Sequence, residues 1–349
     1  MSTMTAAVLT EHGGPDTLRI RDDWRRPEPG AGEVLVQTRA AALNNTDIWT
    51  REGAYGLPGE PDARAGWRGP LSFPLIQGGD IAGVITEAGA GVDADRVGQR
   101  VLVDPAIYLD DSPTAPPVGL LGSEADGGFA EFVTVTGAQA HDVTDSPLTD
   151  EQLAALPVSY GTAMGMLERA GIAEGENVVV TGASGGVGLA LVQLAAARGA
   201  NVTAVTSGSK ATQVLAAGAR HTVDRGSGAL AEQIENHTRG KVDAVADIAG
   251  GALVSELLPL VRDNGRWVIA GAVAGPVVEF DLRRLYLHNI SLIGSSMHTR
   301  GHFAALLGTA RSGAVQPVIA ARFPLDEIAE AQEYFSRGDY VGKIVINLN

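Results

Sequence analysis

The chain contains no cysteine. Disulfide staples and cysteine nucleophiles are therefore excluded. Positive charge is also scarce. Lys and Arg total 26 against 41 Asp and Glu, a net charge of −15. So acidic a surface argues against nucleic acid or an anionic membrane as a partner, and says little about the active site. The opening residues MSTMTAAVLTEHGGPD lack the basic, apolar and small-residue order of a secretory leader, so a cytoplasmic protein is expected. Glycine is abundant instead, with 45 residues spread along the 349, well above the usual ~7%. That suits a fold of many tight turns, and the length suits about two domains.

The stretch Asn177 to Ala195 reads as a buried strand, a glycine turn and the opening of a helix. It overlaps the long uncharged stretch Val178 to Ala197. The four glycines at its centre argue for a buried strand–turn–helix over a membrane span. Asn177 to Thr181 is a β-branched run of the kind buried on both faces of a sheet. Gly182, Gly185 and Gly188 recur every third residue, and Gly186 adds a fourth. Ala183 takes the usual first glycine, so the motif is A-x-G-x-x-G. This geometry seats a diphosphate on a helix N-terminus, with Ala183, Ser184, Gly185, Gly186, Val187 and Gly188 as the cradle.

A second absence selects between dinucleotides. The strand Asn201 to Thr206 lacks the terminal acid that grips ribose hydroxyls in NAD-binding folds. Ser207, Gly208, Ser209 and Lys210 follow it. Ser207, Ser209 and Lys210 suit a 2′-phosphate, with Arg225 as a second cation. The expected cofactor is NADP(H).

Residues 1–155 show strand-like runs separated by turns, at Val34–Thr38, Ile81–Thr86, Val101–Val103 and Phe129–Val135. Residues 104–126 read as a long loop, a surface lobe or a lid. From about 156 the period changes to alternating helices and strands, which calls for a parallel sheet. In that run we expect a helix over 161–170, a helix over 252–262 and a strand over 266–271. The tail, 296–349, reads as helices at 301–312 and 325–337 and a last strand at 343–348.

Seven blocks in register carry a resemblance over essentially the whole chain. They are Gly30-x-Gly32-Glu33-Val34-Leu35-Val36, Ala42 to Asp47, Gly78 to Gly83, Gly127 to Phe132, Tyr160-Gly161-Thr162-Ala163, the glycine turn and Gly342-Lys343. The chain resembles the medium-chain dehydrogenase/reductase superfamily. The resemblance implies an α/β protein with a GroES-like β-rich catalytic domain, 1–155 with 296–349, around a Rossmann doubly wound parallel-sheet cofactor domain, 156–295. It implies an active site in the cleft between the domains and a homodimer through the edge strand Ser291 to Ser295. It also assigns Thr162, Gly271 and Lys343 to the cofactor.

Within that superfamily the zinc alcohol dehydrogenases carry Cys before the T/S-D motif and a Gly-His-Glu further on. Here Asn44 stands at the Cys position and Gly79-Asp80 replaces His-Glu. Zinc at a catalytic site needs three protein ligands, so no zinc is expected. His298 and His302 are four apart and are read as structural or solvent-facing. Leu43 to Tyr55 looks like the L-N-x-x-D-x-x-x-R-x-G-x-Y segment of the zinc-free branch, the quinone oxidoreductases and enoyl or enone reductases. The implied activity is NADPH-dependent hydride transfer to a quinone or to the C=C of an α,β-unsaturated carbonyl. The alternatives are an alcohol or ketone dehydrogenase without the usual zinc and a non-catalytic NADPH-binding protein.

Hydride addition to a conjugated alkene needs a donor near the enolate oxygen and a proton source at the adjacent carbon. Asn44 offers an amide donor, or else bonds its own loop. Tyr55 matches the proton donor of the enoyl thioester reductases, or else is a lid residue. Trp49 walls the pocket or belongs to the core. Asp47 orders the loop. The segment 59–69 is an insertion relative to the family pattern, and its Arg64, Trp67 and Arg68 either shape specificity or cover the site.

Overall fold

The computed structural model describes residues 2–56 and 66–348. The chain divides into two compact units. The first comprises Met1–Val158, Thr299–Asp339 and Lys343–Asn349, and the second Ser159–His298 and Tyr340–Gly342.

The first unit is β-rich. Its main sheet orders the strands Ala140–Asp142, Arg100–Val103, Asp80–Ala88, Glu33–Ala42, Lys343–Asn347 and Ile319–Pro324, and Phe132–Thr136 also pairs with Glu33–Ala42. Alternating apolar residues Val34, Val36, Ile81, Ile85, Val101, Val103, Val133 and Val135 form one buried cluster inside it. The strand Lys343–Asn347 runs antiparallel to Glu33–Ala42, with Val345 opposite Ala42. Residues 104–126 are not a plain loop. Ala106–Tyr108 and Pro117–Leu120 form a two-stranded antiparallel hairpin within them.

The second unit is a six-stranded parallel sheet. Its strand order is His221–Asp224, Asn201–Thr206, Asn177–Val180, Val242–Asp247, Val261–Ile269 and Ser291–Gly294. The order 3-2-1-4-5-6 with parallel pairing is that of a doubly wound dinucleotide fold. Fully buried Trp267 and the apolar residues Val179, Val205, Val245 and Leu257 lie in its core.

Several boundaries differ from the sequence reading, two of them because of proline. The first helix of the alternating run begins at Pro157, not 161, because proline suits a first turn. The helix read over 252–262 ends at Leu257. Pro259 sits in a short 3₁₀ turn, Leu258–Leu260, and the next strand already begins at Val261. Proline has no N–H for a helix interior. Among the described residues no helix is long and apolar enough to cross a membrane.

Candidate active site

In the second unit the strand Asn177–Val180 is followed, after Thr181, by Gly182, whose φ of +59° is left-handed. The helix Gly186–Ala197 then opens with Gly185 as its N-cap residue. A Cβ at Gly188 would lie 2.0 Å from the Gly182 carbonyl oxygen, so glycine is required there. The first N–H groups of a helix have no carbonyl within it to bond. Those of Gly186, Val187 and Gly188 open this helix, beside partly exposed Ser184 and Gly185. This is a cradle into which a diphosphate fits. Ala183 differs from the rest of the motif: it is buried and gives its N–H to the Val205 carbonyl at 3.2 Å. That bond ties the turn to the neighbouring strand.

The loop after the strand Val242–Asp247 is fixed by buried Asp247. Its Oδ1 accepts the Thr181 hydroxyl at 2.6 Å and the Ala249 and Gly250 N–H groups at 2.9 and 3.0 Å. Its Oδ2 accepts the Trp267 indole N–H at 3.2 Å. Gly271 lies against that loop, where a Cβ would come within 2.6 Å of the Ile248 oxygen. The sequence placed this strand end near the cofactor but not the Thr181–Asp247–Trp267 linkage. Thr162 is buried on the helix Pro157–Ala170, with its hydroxyl 3.8 Å from the Met297 sulfur.

At the end of Asn201–Thr206, the Ser207 and Ser209 hydroxyls stand 3.4 Å apart and Lys210 closes the turn. The Arg225 N–H bonds the Thr206 carbonyl at 2.9 Å, which brings Arg225 to the same edge. One acid also stands there. Asp224 Oδ2 would be 2.9 Å from a Cβ on Gly208. It belongs to the neighbouring strand, where reading residues in chain order did not look for it.

In the first unit, Asn44 precedes the helix Asn45–Glu52. Its backbone N–H donates to Asp47 Oδ2 at 2.7 Å. Its side chain is buried and engaged: Nδ2 donates to Asp80 Oδ2 at 2.8 Å and to the Ala42 carbonyl at 3.3 Å, while Oδ1 accepts from Lys343 Nζ at 2.5 Å. Both amide hydrogens are thus directed into the unit, and Asn44 is a link in a buried network. It is not a free donor to a substrate. Lys343 Nζ also donates to the Leu43 carbonyl at 2.7 Å and to Asp80 Oδ2 at 3.0 Å. Lys343 therefore pairs with Asp80 inside the first unit, beside the Asn44 amide. Asp80 Oδ1 accepts the Val158 N–H at 2.6 Å.

Burial pushes the Asp47 carboxyl up to about 7, against the opposing pull of the Asn44 N–H. Tyr55 and Trp49 meet edge to face with ring centroids 5.3 Å apart. Burial pushes the Tyr55 phenol up to about 12. Among the described residues no group of three or more His, Cys, Asp or Glu gathers as a metal site would. His302 is accounted for: its Nδ1 accepts the Thr299 N–H at 3.2 Å at a helix start. Of the insertion, Arg64 lies outside the described residues. Trp67 and Arg68 are tied to the hairpin region, by Trp67 N–H to Ser123 at 3.0 Å and Arg68 N–H to Glu124 at 2.8 Å.

A β-rich unit joined to a doubly wound sheet with a diphosphate cradle is the architecture of an oxidoreductase. Residues 30–145 match the family described as "Alcohol dehydrogenase GroES-like domain", and residues 186–312 match "Zinc-binding dehydrogenase". The quinone oxidoreductase of Mus musculus is 32% identical, covering 99% of this chain and 98% of that protein. The acryloyl-coenzyme A reductase of Metallosphaera sedula is 29% identical, covering 98% of this chain and 99% of that protein. The crystal structure of a putative alcohol dehydrogenase from Sinorhizobium meliloti superposes with a TM-score of 0.95 at 44% identity, covering 100% of this chain and 98% of that one. The chain belongs to the medium-chain dehydrogenase/reductase superfamily, in its zinc-free quinone oxidoreductase branch.

Proposed function

We propose that the protein is a zinc-independent, NADPH-dependent reductase of quinones or of the C=C bond of α,β-unsaturated carbonyls. The observation that carries this reading is the Asn44–Asp80–Lys343 network. At the positions where zinc dehydrogenases hold ligands, an amide and a carboxylate are bonded to each other and to an ammonium. Among the described residues Asp47 and Asp80 are the carboxylates of this network, one short of the three ligands that a catalytic zinc needs. A simple ketone wants a Lewis acid. A quinone or a conjugated alkene does not, because the electron pair ends on a conjugated oxygen.

The second unit supports the cofactor half of the reading. The N–H groups of Gly186, Val187 and Gly188 would take the diphosphate, and Ser207, Ser209, Lys210 and Arg225 a 2′-phosphate. When bound, the reduced nicotinamide supplies the hydride. Asp224 at that same edge favours a second reading, in which its carboxylate accepts a free 2′-hydroxyl and NADH is used.

The first unit supports the acceptor half. Tyr55 carries its phenolic proton at neutral pH, as an ordinary tyrosine does, and burial raises its pKa further. It is suited to deliver a proton to the carbon next to the carbonyl while Trp49 fixes its ring. We also infer a homodimer through the outer strand Ser291–Gly294, because exposed Leu282, Tyr286, Leu287 and Leu292 cluster in sequence around it.

The test is NADPH consumption in EDTA-treated buffer with a 1,4-quinone, a simple enone and an enoyl thioester side by side. Turnover is expected to survive chelation. Tyr55→Phe should lower alkene reduction by ~10²–10⁴-fold, the usual worth of a placed proton donor, and spare the quinone. Alcohol oxidation that appears only with added zinc would refute the reading.

A further inference from the structure

The parallel sheet of the second unit has a second end. Opposite the glycine turn, at the N-terminal ends of its strands, lies a polar groove of about 500 Å³. Asn177 and Asn201 begin two of the strands that line it, and Arg220 and His221 lie at the start of a third. His237 and Arg239 reach it from the end of the helix Leu230–Thr238. The imidazoles of His221 and His237 stack face to face, with centroids 4.3 Å apart and planes 9° from parallel.

Four cationic or protonatable side chains share this groove in a chain of net charge −15. Neither arginine is paired with a carboxylate among the described residues. Arg220 donates to the side-chain oxygen of Asn201, which holds the guanidinium at the groove. The helix explains only half of the cluster, since His237 and Arg239 complement the negative end of its dipole. Arg220 and His221 come from a strand and have no such reason to be there. Burial first, then His237 and Arg220, hold His221 below the ordinary imidazole range. That is the direction expected of a cation cluster without its counter-anion.

We propose that this groove binds a small anion bearing one or two phosphate groups, at a site separate from the dinucleotide cradle. Guanidinium forks match phosphate oxygens two at a time, and Arg220 and Arg239 reach the groove from different elements. The stacked imidazoles would add N–H donors beside them once protonated.

The experiment uses the full-length protein with isotope-labelled histidine, titrated with inorganic phosphate and with inorganic pyrophosphate at fixed pH and ionic strength. His237→Asn assigns the signals. The His221 and His237 resonances should move saturably with at least one of the two anions. In the double variant Arg220→Gln, Arg239→Gln, binding should weaken at least about tenfold, with melting temperature and NADPH affinity unchanged. Unmoved resonances, movement matched by chloride alone, or undiminished binding in the double variant would each overturn the proposal. Because NADPH affinity is read separately, failure here is distinguishable from failure of the proposed reductase activity.

Discussion

Asp47 carries a pH dependence that follows from its burial. Its carboxyl is 2% exposed and titrates at about 7 instead of 3.8. Between those values the folded chain keeps a proton that the unfolded chain has lost. The stabilisation is therefore full below the ordinary carboxylate range and fades as pH rises towards 7. Relative to Asp47→Asn, the native protein should lose up to about 4 kcal/mol of stability between pH 4 and pH 7. Denaturant melts of both proteins across that range check it, and parallel curves would disprove it. Asp224 offers a second test at this scale. Asp224→Asn removes a negative charge from the edge shared by Ser207, Lys210 and Arg225, so NADPH should bind about tenfold tighter with little change for NADH. Fluorescence titration of the two cofactors reads the ratio directly.

Elements show which parts of the site were legible in the sequence. The glycine turn was readable because its parts are local: a strand, a left-handed Gly182 and a close approach at Gly188 fall within a dozen residues. The Lys343 network was not, because its partners Asn44 and Asp80 stand 299 and 263 residues away. Only the pairing of the last strand with Glu33–Ala42 brings them together. The hairpin in residues 104–126 was hidden by strands of three and four residues and by prolines, which leave no usable alternation. Lys343→Met should destabilise the first unit by about 3–5 kcal/mol, because Asp80 would be left as a buried charge without its cation. Calorimetry checks this. A stability unchanged from the native protein would mean that Asp80 finds another counter-charge.

For the whole molecule, the apolar residues around the outer strand of the parallel sheet set the expected assembly. Tyr286 is 65% and Leu287 64% exposed, on a helix that leads into that strand. Charged substitutions there, such as Leu287→Asp with Leu292→Asp, should convert a dimer to a monomer in light scattering without altering the fold. A native protein that already runs as a monomer would contradict the inferred assembly.

The placement of the strand Lys343–Asn347 bears on how the protein is made. It lies between Glu33–Ala42 and Ile319–Pro324, inside the sheet and not at its margin. The strand against which it pairs leaves the ribosome about 300 residues earlier. Phe132–Thr136 covers the first half of that edge, but during synthesis the Ala40–Ala42 end must wait with its backbone N–H and C=O groups unpaired, an invitation to foreign strands. The parallel sheet, contiguous in sequence apart from a short return, can form first. A ribosome stalled before residue 343 would therefore present a finished parallel sheet while the main sheet of the first unit still lacks its last strand.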